Sequence, residues 1–341
     1  MMAPRLARRA VARARSLAPF RYPAPPVGVR VLMYHHVRRE VLARHLDFLV
    51  PRFQILSLSD LLAFLAGRLR LDSPALLFSF DDGYEDHFTQ ALPELRRRVL
   101  PAVFLVVPGL IGSDHIFWWE RLNATIEATP RSHLRLAGRS LPLTTPTSRR
   151  RAVASAAKWL RCLPEDRIEP ALGEIFSVLA APPVAGPSSR LLTWPMLQEL
   201  HNAGMTIGSH TLTHPRLTGV PEAEARRQIE VSKCLLEQRL GSEVQCFAYP
   251  YGQVGDFDSH TEQLVRVAGY LTALAAVDAP VELGGDRYAL PRVAIDIDDP
   301  LPVLAAKAYG FWPSLRRYGR PAKRTMERAA ELSNRFVRRE G

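Results

Sequence analysis

The stretch Ala75–Gly83 reads ALLFSFDDG, an apolar run that ends in two adjacent carboxylates and a glycine. The run predicts a buried β-strand. Side chains alternate between the two faces of a strand, so Asp81 and Asp82 point in different directions and can do different jobs. Because an unpaired buried carboxylate is costly, this pair indicates a bound cation or hydrogen-bond partners. The alternative is a helix cap, where Asp before a helix and Gly in the turn are common.

Two histidines follow a second predicted strand, residues 205–208. His210 and His214, in the run SHTLTHP, are four residues apart, and at this spacing both side chains can reach one ion. Two surface histidines beside a turn are the alternative. A catalytic metal needs three protein ligands and an open position, and Asp82 is the predicted third ligand. This ligand set suits zinc, and also Fe(II), Co(II) or Ni(II).

A third polar turn, the run FAYPYG at residues 247–252, also follows a predicted strand. Pro250 followed by Tyr251 and a glycine fixes an unusual backbone path, which can aim a free N–H at a ligand. Taken alone, the run predicts only a turn. The carboxyl ends of parallel strands lie at one edge of a sheet, so the three runs are expected to meet at one site.

Short apolar runs alternate with helical patterns along most of the chain, which predicts an α/β fold with parallel strands. Residues 108–192 interrupt this rhythm with an aromatic cluster and two helical stretches, and we interpret them as an insertion packed on the main domain. Residues 300–338 are predicted to be helical. The predicted strands are 30–34, 53–56, 75–80, 102–107, 205–209, 244–249, 270–277 and 289–295.

These runs together resemble the motifs of the polysaccharide deacetylase family, the NodB-homology domain of carbohydrate esterase family four. SFDDG resembles the first motif, SHTLTH the second and FAYPYG the third, and the resemblance covers roughly residues 30–296. It implies a distorted (β/α) barrel of about seven strands. It also implies that Asp81 is the general base, and that Asp82, His210 and His214 bind the metal.

The chain departs from the family pattern at the residue that orients the base. The third motif of the family contains an arginine, and here Ala248 or Tyr249 stands in its place. Arg292, in a late predicted strand, is the replacement that we consider, with a surface salt bridge as its alternative role. The backbone N–H of Tyr251, after Pro250, is the predicted oxyanion donor.

The general acid of the family is a histidine near the C-terminus, but no histidine follows His260 here. The run VLMYHHV at residues 31–37 resembles a permuted branch of the family that takes its acid from an N-terminal Y-H motif. His35 is therefore the predicted general acid, and His36 is expected to point away. The alternative is that both histidines simply end the first strand.

The net charge of +11 lies at the two ends of the chain. Residues 1–30 and 307–341 carry +7 each, and the remainder sums to −3. Basic arms on an acidic middle predict peripheral contact with an anionic membrane and no nucleic-acid binding. The first twenty residues suit a basic amphipathic helix, a disordered arm or a transit peptide. Three scattered cysteines and no secretory signal predict a cytoplasmic protein, on the inner membrane face if the arms bind lipid.

The expected domain organisation is a basic arm at 1–28, a NodB-like domain at 29–299 that contains the insertion, and a basic helical tail at 300–341. The expected activity is zinc-dependent removal of N-acetyl groups from a sugar in a poly- or oligosaccharide, with a lipid-linked saccharide as one candidate. Trp118, Trp119 and Trp194 suit sugar stacking, although large aromatics are more often core. The rival functions are hydrolysis of a non-sugar amide or cyclic imide, and glycan binding by a catalytically inactive protein.

Overall fold

The computed structural model describes residues 27–181 and 190–311 of the chain. The predictions made for residues 1–26 and 312–341, most of the two basic arms, lie outside the described residues. The described strands are β1 Val29–Tyr34, β2 Gln54–Ile55, β3 Ala75–Asp82, β4 Val103–Val106, β5 His133–Leu136, β6 Arg139–Pro142, β7 Thr206–Ser209, β8 Cys246–Ala248, β9 Thr272–Leu274 and β10 Arg292–Ala294.

Seven parallel strands form the main sheet in the order β10-β1-β3-β4-β7-β8-β9, and β2 pairs with β3 outside this path. The two ends of this order approach each other. The N–H of Ala275 donates to the carbonyl of Leu290 at 2.8 Å, and the N–H of Leu290 donates to the carbonyl of Ala273 at 2.9 Å. The segment that leads into β10 therefore runs beside β9. The predicted α/β fold, a distorted (β/α) barrel of about seven strands, is confirmed.

Helices cover the outside of the barrel. None of the described helices is long and apolar enough to cross a membrane. Ser57 begins α2 with a capping box, in which its side chain accepts from the N–H of Asp60. A π-helical turn, His87–Ala91, follows β3. The described α-helices are α1 Arg39–Leu49, α2 Leu58–Leu65, α3 Leu92–Arg97, α4 Trp118–Ala128, α5 Pro146–Leu160, α6 Glu165–Leu179, α7 Trp194–Asn202, α8 Glu222–Leu240, α9 Ser259–Val267 and α10 Leu301–Ala308.

The insertion between β4 and β7 forms a small subdomain with its own hydrophobic core. Helices α4, α5 and α6 pack around Leu122, Ala156 and Leu172, which are fully buried. The insertion also contains an antiparallel hairpin of β5 and β6, which the helical prediction for this region missed.

Alternate residues of each barrel strand enter two different cores. Leu32, Phe78 and Phe104 belong to the core between the sheet and its helices. The opposite faces of the same strands, including Leu77 and Leu105, form the core inside the barrel. Strand β3 keeps this alternation to its end. The side chain of Asp81 therefore points into the barrel, on the same face of the strand as Leu77.

Candidate active site

A cavity of about 500 Å³ opens at the carboxyl ends of the barrel strands. It lies where parallel-strand barrels generally carry their ligands. Seven of the eight residues predicted from sequence line it, and Pro250, which is buried, does not. Those seven are His35, Asp81, Asp82, His210, His214, Tyr251 and Arg292.

Asp81 is buried and ion-paired. The Nη1 of Arg292 donates to its Oδ1 at 2.7 Å, and this leaves Oδ2 facing the Nε2 of His210 at 4.0 Å. Burial acts to raise the pKa of Asp81. The charge of Arg292, with smaller effects from His210 and His35, outweighs burial, so the pKa of this carboxyl lies below its usual range. Asp81 is therefore a carboxylate at neutral pH, with one oxygen free to take a proton.

Arg292 is 1% exposed, so a surface salt bridge does not describe its role. It comes from β10 and reaches across the inside of the barrel. Besides Asp81, its guanidinium donates to the carbonyl of Ala275 at 3.2 Å and lies 3.3 Å from the Oγ of Ser79. These partners fix the guanidinium in one orientation, and it in turn fixes the carboxylate of Asp81.

The second carboxylate of β3 faces two imidazoles. The Oδ1 of Asp82 lies 3.6 Å from the Nε2 of His210 and 3.5 Å from the Nε2 of His214, which is too long for normal N–H···O hydrogen bonds. This oxygen is buried and has no hydrogen-bond partner. The Nδ1 of His210 lies 2.8 Å from the carbonyl of Ala248. An acceptor there requires the proton on Nδ1, which leaves Nε2 with a free lone pair.

These three residues fit a metal ion. Their ligand atoms all lie within 4.8 Å of one another, and they form the one such group within the described ranges. Two ligands at about 2.0–2.1 Å from a tetrahedral zinc are themselves roughly 3.4 Å apart, close to the separations seen here. Burial lowers the pKa of His210 and His214, so both are neutral, as ligation requires. Burial and the charge of Asp81 raise the pKa of Asp82, which a bound cation would offset.

Four residues around the site have left-handed backbone conformations without being glycine. The φ angles are 76° at Asp82, 64° at Thr211, 69° at His214 and 60° at Tyr251. Each such conformation costs of order 1–3 kcal/mol and persists only where the surroundings enforce it. The N–H of His214 donates to the Oγ1 of Thr211 at 2.9 Å, which stabilises the turn between the two histidines. The strain falls on residues that the site needs in fixed positions.

The residues after β1 form a loop that contributes both histidines to the cavity. The expectation that His36 points away is wrong, since it lines the cavity beside His35. Strand β1 ends at Tyr34, so the alternation of a strand no longer applies to the next two residues. The Nε2 of His87, in the π-helical turn, donates to the carbonyl of His35, and Asp86 accepts from the N–H of Val37 at 3.0 Å.

The two histidines of this loop have opposite protonation behaviour. Burial lowers the pKa of His35 to about 4, against the attraction of Asp81. Burial also acts to lower the pKa of His36, but its hydrogen bonds to Asp86 and Glu120 outweigh this and raise it to about 9. The Nδ1 of His36 lies 3.2 Å from Asp86, and its Nε2 lies 3.4 Å from Glu120. At neutral pH His36 is a cation held between two carboxylates, and His35 is neutral.

Sequence reasoning considered Trp118 and Trp119 for sugar stacking but did not predict that the insertion forms one wall of the cavity. Helices α4 and α5 of the insertion contribute Trp118, Trp119 and Ala157, and Arg161 follows the end of α5. The aromatic run at 117–119 was the available signal for this wall. Trp194, the third tryptophan considered from sequence, packs on the main core instead.

Comparisons with known proteins identify the family of this chain. The polysaccharide deacetylase family profile matches residues 69–273, so His35 and Arg292 lie outside the matched range. The Bacillus subtilis (strain 168) protein YxkH, described as a polysaccharide deacetylase, is 24% identical over 121 residues, 36% of this chain. The alignment spans 40% of the length of that relative.

Solved structures show the same fold at low identity. The Streptococcus pyogenes deacetylase PplD, solved in complex with acetate, superposes with a TM-score of 0.55 at 16% identity, over 83% of this chain and 99% of that one. IcaB from Ammonifex degensii superposes with a TM-score of 0.55 at 20% identity, over 84% of this chain and 98% of that one. Because the family profile covers more than half of the sequence, this chain belongs to the polysaccharide deacetylase family.

Proposed function

We propose that this protein is a metal-dependent hydrolase that removes N-acetyl groups from an N-acetylated sugar in a poly- or oligosaccharide. The observation that carries the proposal is the pair of unlike carboxylates at the end of β3. Asp81 is held ionised against Arg292, and Asp82 faces two neutral imidazoles. A base and a three-residue metal group side by side are the components of metal-assisted amide hydrolysis.

Asp82, His210 and His214 would hold the metal, and zinc is the ion that we propose. When bound, the ion supplies Lewis-acid polarisation of the acetamide carbonyl and makes a water molecule more acidic. Asp81 takes the proton of the attacking water on its Oδ2, because its Oδ1 already accepts from Arg292. The backbone N–H of Tyr251 is the donor that we propose for the developing oxyanion. The carbon–nitrogen bond then breaks, and acetate and the sugar amine are the products.

The leaving amine needs a proton, and His35 is the donor that we propose. Burial keeps His35 neutral in the free protein, since its pKa is about 4. The proton that it delivers therefore arrives during the reaction, from the attacking water by way of Asp81. General acid–base pairs of this kind contribute typically ~10²–10⁴-fold to the rate.

The natural substrate that we propose is a cytoplasmic saccharide, and a lipid-linked one suits the basic arms. Residues 1–30 and 307–341 carry +7 each while the rest of the chain sums to −3, a distribution that favours attraction to an anionic membrane face.

The test is acetate release from N-acetylglucosamine oligomers by the purified, zinc-loaded protein. Asp81→Asn is assayed alongside it, with Asp298→Asn at an exposed position as the matched control. Release by the wild type and by Asp298→Asn, with a loss of at least about 100-fold in Asp81→Asn, supports the proposal. Equal release by Asp81→Asn contradicts the assignment of the base. A parallel panel of cyclic imides and non-sugar amides tests the rival substrates, and turnover confined to that panel rejects the sugar.

A further inference from the structure

We propose that the insertion provides a second saccharide subsite, formed by Trp119 and Arg161, that binds the sugar residue next to the one deacetylated. This inference rests on the proposed function and deepens it. It predicts that the substrate is a chain of at least two sugar residues.

The insertion is fixed against the barrel at the cavity. The indole N–H of Trp118 donates to the hydroxyl of Tyr251 at 2.9 Å. The charged pair of Glu120 and His36 makes a second connection, from α4 to the loop after β1. A binding surface that is already held in place loses less entropy when a ligand arrives, so this anchoring suits a preformed subsite.

The end of α5 is fixed to the barrel by two further contacts. The Nη2 of Arg161 donates to Asp256 at 2.9 Å, on the loop that follows Tyr251. The guanidinium of Arg216 donates to the backbone carbonyls of Arg161 and Leu163. The wall formed by the insertion is therefore tied to three barrel loops, those after β1, β7 and β8.

Trp119 presents an aromatic surface to the cavity. Its ring stacks on Phe117 at 4.4 Å between centroids, with an interplanar angle of 8°, so one face is covered. The side chain is nevertheless partly exposed and lines the cavity, 5.0 Å from the ring of His214. An aromatic ring that is packed on one face and reaches the cavity suits stacking against the apolar face of a sugar.

Arg161 supplies hydrogen-bond donors farther from the proposed metal site. Its guanidinium lies 4.8 Å above the ring of Tyr251, and that ring in turn lies 5.1 Å from the ring of His214. The ring of Tyr251 thus lies between Arg161 and the proposed metal ligand His214. Its side chain is 30% exposed and lines the cavity, and only its Nη2 is used by Asp256. The remaining N–H groups can donate to sugar hydroxyls.

The chemistry of this wall favours a neutral sugar ring over an anionic group. The charge of Arg161 is paired with Asp256, and the charge of His36 is more than offset by Asp86 and Glu120. The wall provides an aromatic face and hydrogen-bond donors in fixed positions. A sugar ring, with its apolar face and its hydroxyl groups, can bind to both. With the acetamide at Asp81, the neighbouring sugar residue falls against Trp119 and Arg161.

The experiment measures binding separately from turnover. Calorimetry on Asp81→Asn gives dissociation constants for N-acetylglucosamine, its dimer and its tetramer, with Trp119→Ala or Arg161→Ala added to that background. We expect the tetramer to bind about tenfold or more tightly than the monomer. Each added substitution is expected to shrink this ratio roughly three- to tenfold, as the loss of one stacking or hydrogen-bond contact implies.

The controls separate a local effect from misfolding. Trp119→Phe keeps an aromatic face and is expected to restore most of the ratio, and exposed Arg150→Ala on α5 is expected to leave it unchanged. A ratio that Trp119→Ala and Arg161→Ala leave intact overturns the subsite, as does equal binding of monomer and tetramer. Tight, length-dependent binding without acetate release by the wild type supports the subsite and rejects the proposed chemistry. No binding of any oligomer rejects both.

Discussion

Asp81 and Arg292 form a buried ion pair whose two members are each almost inaccessible to solvent. Removing one partner of such a pair leaves a charge in a low-dielectric site, which costs roughly 3–5 kcal/mol. It also removes the interaction that keeps the pKa of Asp81 low. Loss of Arg292 is therefore expected to change both the stability of the protein and the activity of Asp81.

Arg292→Gln is expected to lower the free energy of unfolding by roughly 3–5 kcal/mol near neutral pH. Burial then acts on Asp81 without the opposing charge, so its pKa rises and the acid limb of the kcat/KM profile moves to higher pH. A pH profile and a denaturant melt check the two effects. Arg292→Lys is the control and should retain the low-pH limb better; an unmoved limb in both variants contradicts the pairing.

His36 gives a second prediction, about pH and stability. Its pKa in the folded protein, about 9, is above its usual value, so its ion pairs stabilise fully below about pH 6.5 and lose this contribution as pH rises through 9. The side chain is 38% exposed, so the effect is expected to be modest, roughly 1–3 °C in Tm. Melting curves of wild type and His36→Gln should differ more at pH 6.5 than at pH 9.5. A pH-independent difference contradicts the assigned charge.

At this scale the sequence predicted which residues meet but not how each is oriented. The spacing of His210 and His214 after one strand and of Asp82 after another was enough to bring the three together. Arg292 was left between two roles, because no local pattern tells whether a strand residue crosses the inside of a barrel. The direction of His36 was predicted wrongly because alternation was extended beyond the last residue of β1.

At the scale of elements, the turns after the strands determine the site. Gly252 has a φ of 64°, and a Cβ placed on it would lie 2.8 Å from the backbone N of Ala276 and 3.0 Å from the carbonyl oxygen of Tyr249. The turn after β8 thus has room for glycine alone at this position, immediately after the strained Tyr251. This gives the glycine of the FAYPYG run a physical reason.

Gly252→Ala is expected to destabilise the protein by more than the ~1–2 kcal/mol of left-handed backbone alone, because the added carbon meets backbone atoms. It should also reduce turnover by displacing Tyr251. The matched control is Gly241→Ala, where φ is nearly the same, 66°, and an added Cβ would have no atom within 4 Å. Denaturant melts compare the two. Equal losses would contradict the close approach at Ala276.

The hairpin of β5 and β6 in the insertion could not be predicted from the sequence. Its turn consists of Ala137 and Gly138, both with positive φ, in place of the Asn-Gly pair that usually announces such a turn. Of the eight residues in β5 and β6, Leu134 is the one buried side chain, so there is little alternation to detect. The barrel strands are detectable because both of their faces are buried apolar surface.

At the scale of the whole molecule, the predicted barrel is present, but its closure could not be predicted from sequence. The hydrogen bonds between residues 273–275 and Leu290 are formed by backbone atoms, which leave no trace in a hydrophobic pattern. Arg292 reaches the site because β10 pairs with β1, which in turn pairs with β3, so that one strand separates the arginine from Asp81. Closure holds the segment before β10 against β9. The order of the motifs along the chain predicted that they lie together at one end of the barrel. The pairing of β10 in the sheet brings Arg292 to the same place.

A metal that binds only the folded protein should raise its stability by mass action. Zinc at 100 times its dissociation constant is expected to add about 2.7 kcal/mol, and removal with a chelator should reverse this. Melting temperatures of zinc-loaded and chelator-treated wild-type protein check the prediction. Indistinguishable melting curves at saturating zinc would contradict a metal site built from Asp82, His210 and His214.

The central claim is that two adjacent carboxylates have different tasks, Asp81 as the base and Asp82 as a metal ligand. The most direct measurement is a zinc titration, by calorimetry, of Asp81→Asn and Asp82→Asn side by side. We expect Asp81→Asn to bind one zinc ion with an affinity near that of the wild type. We expect Asp82→Asn to lose about 100-fold or more in affinity. Equal affinities in the two variants, or a larger loss in Asp81→Asn, would contradict the division of tasks.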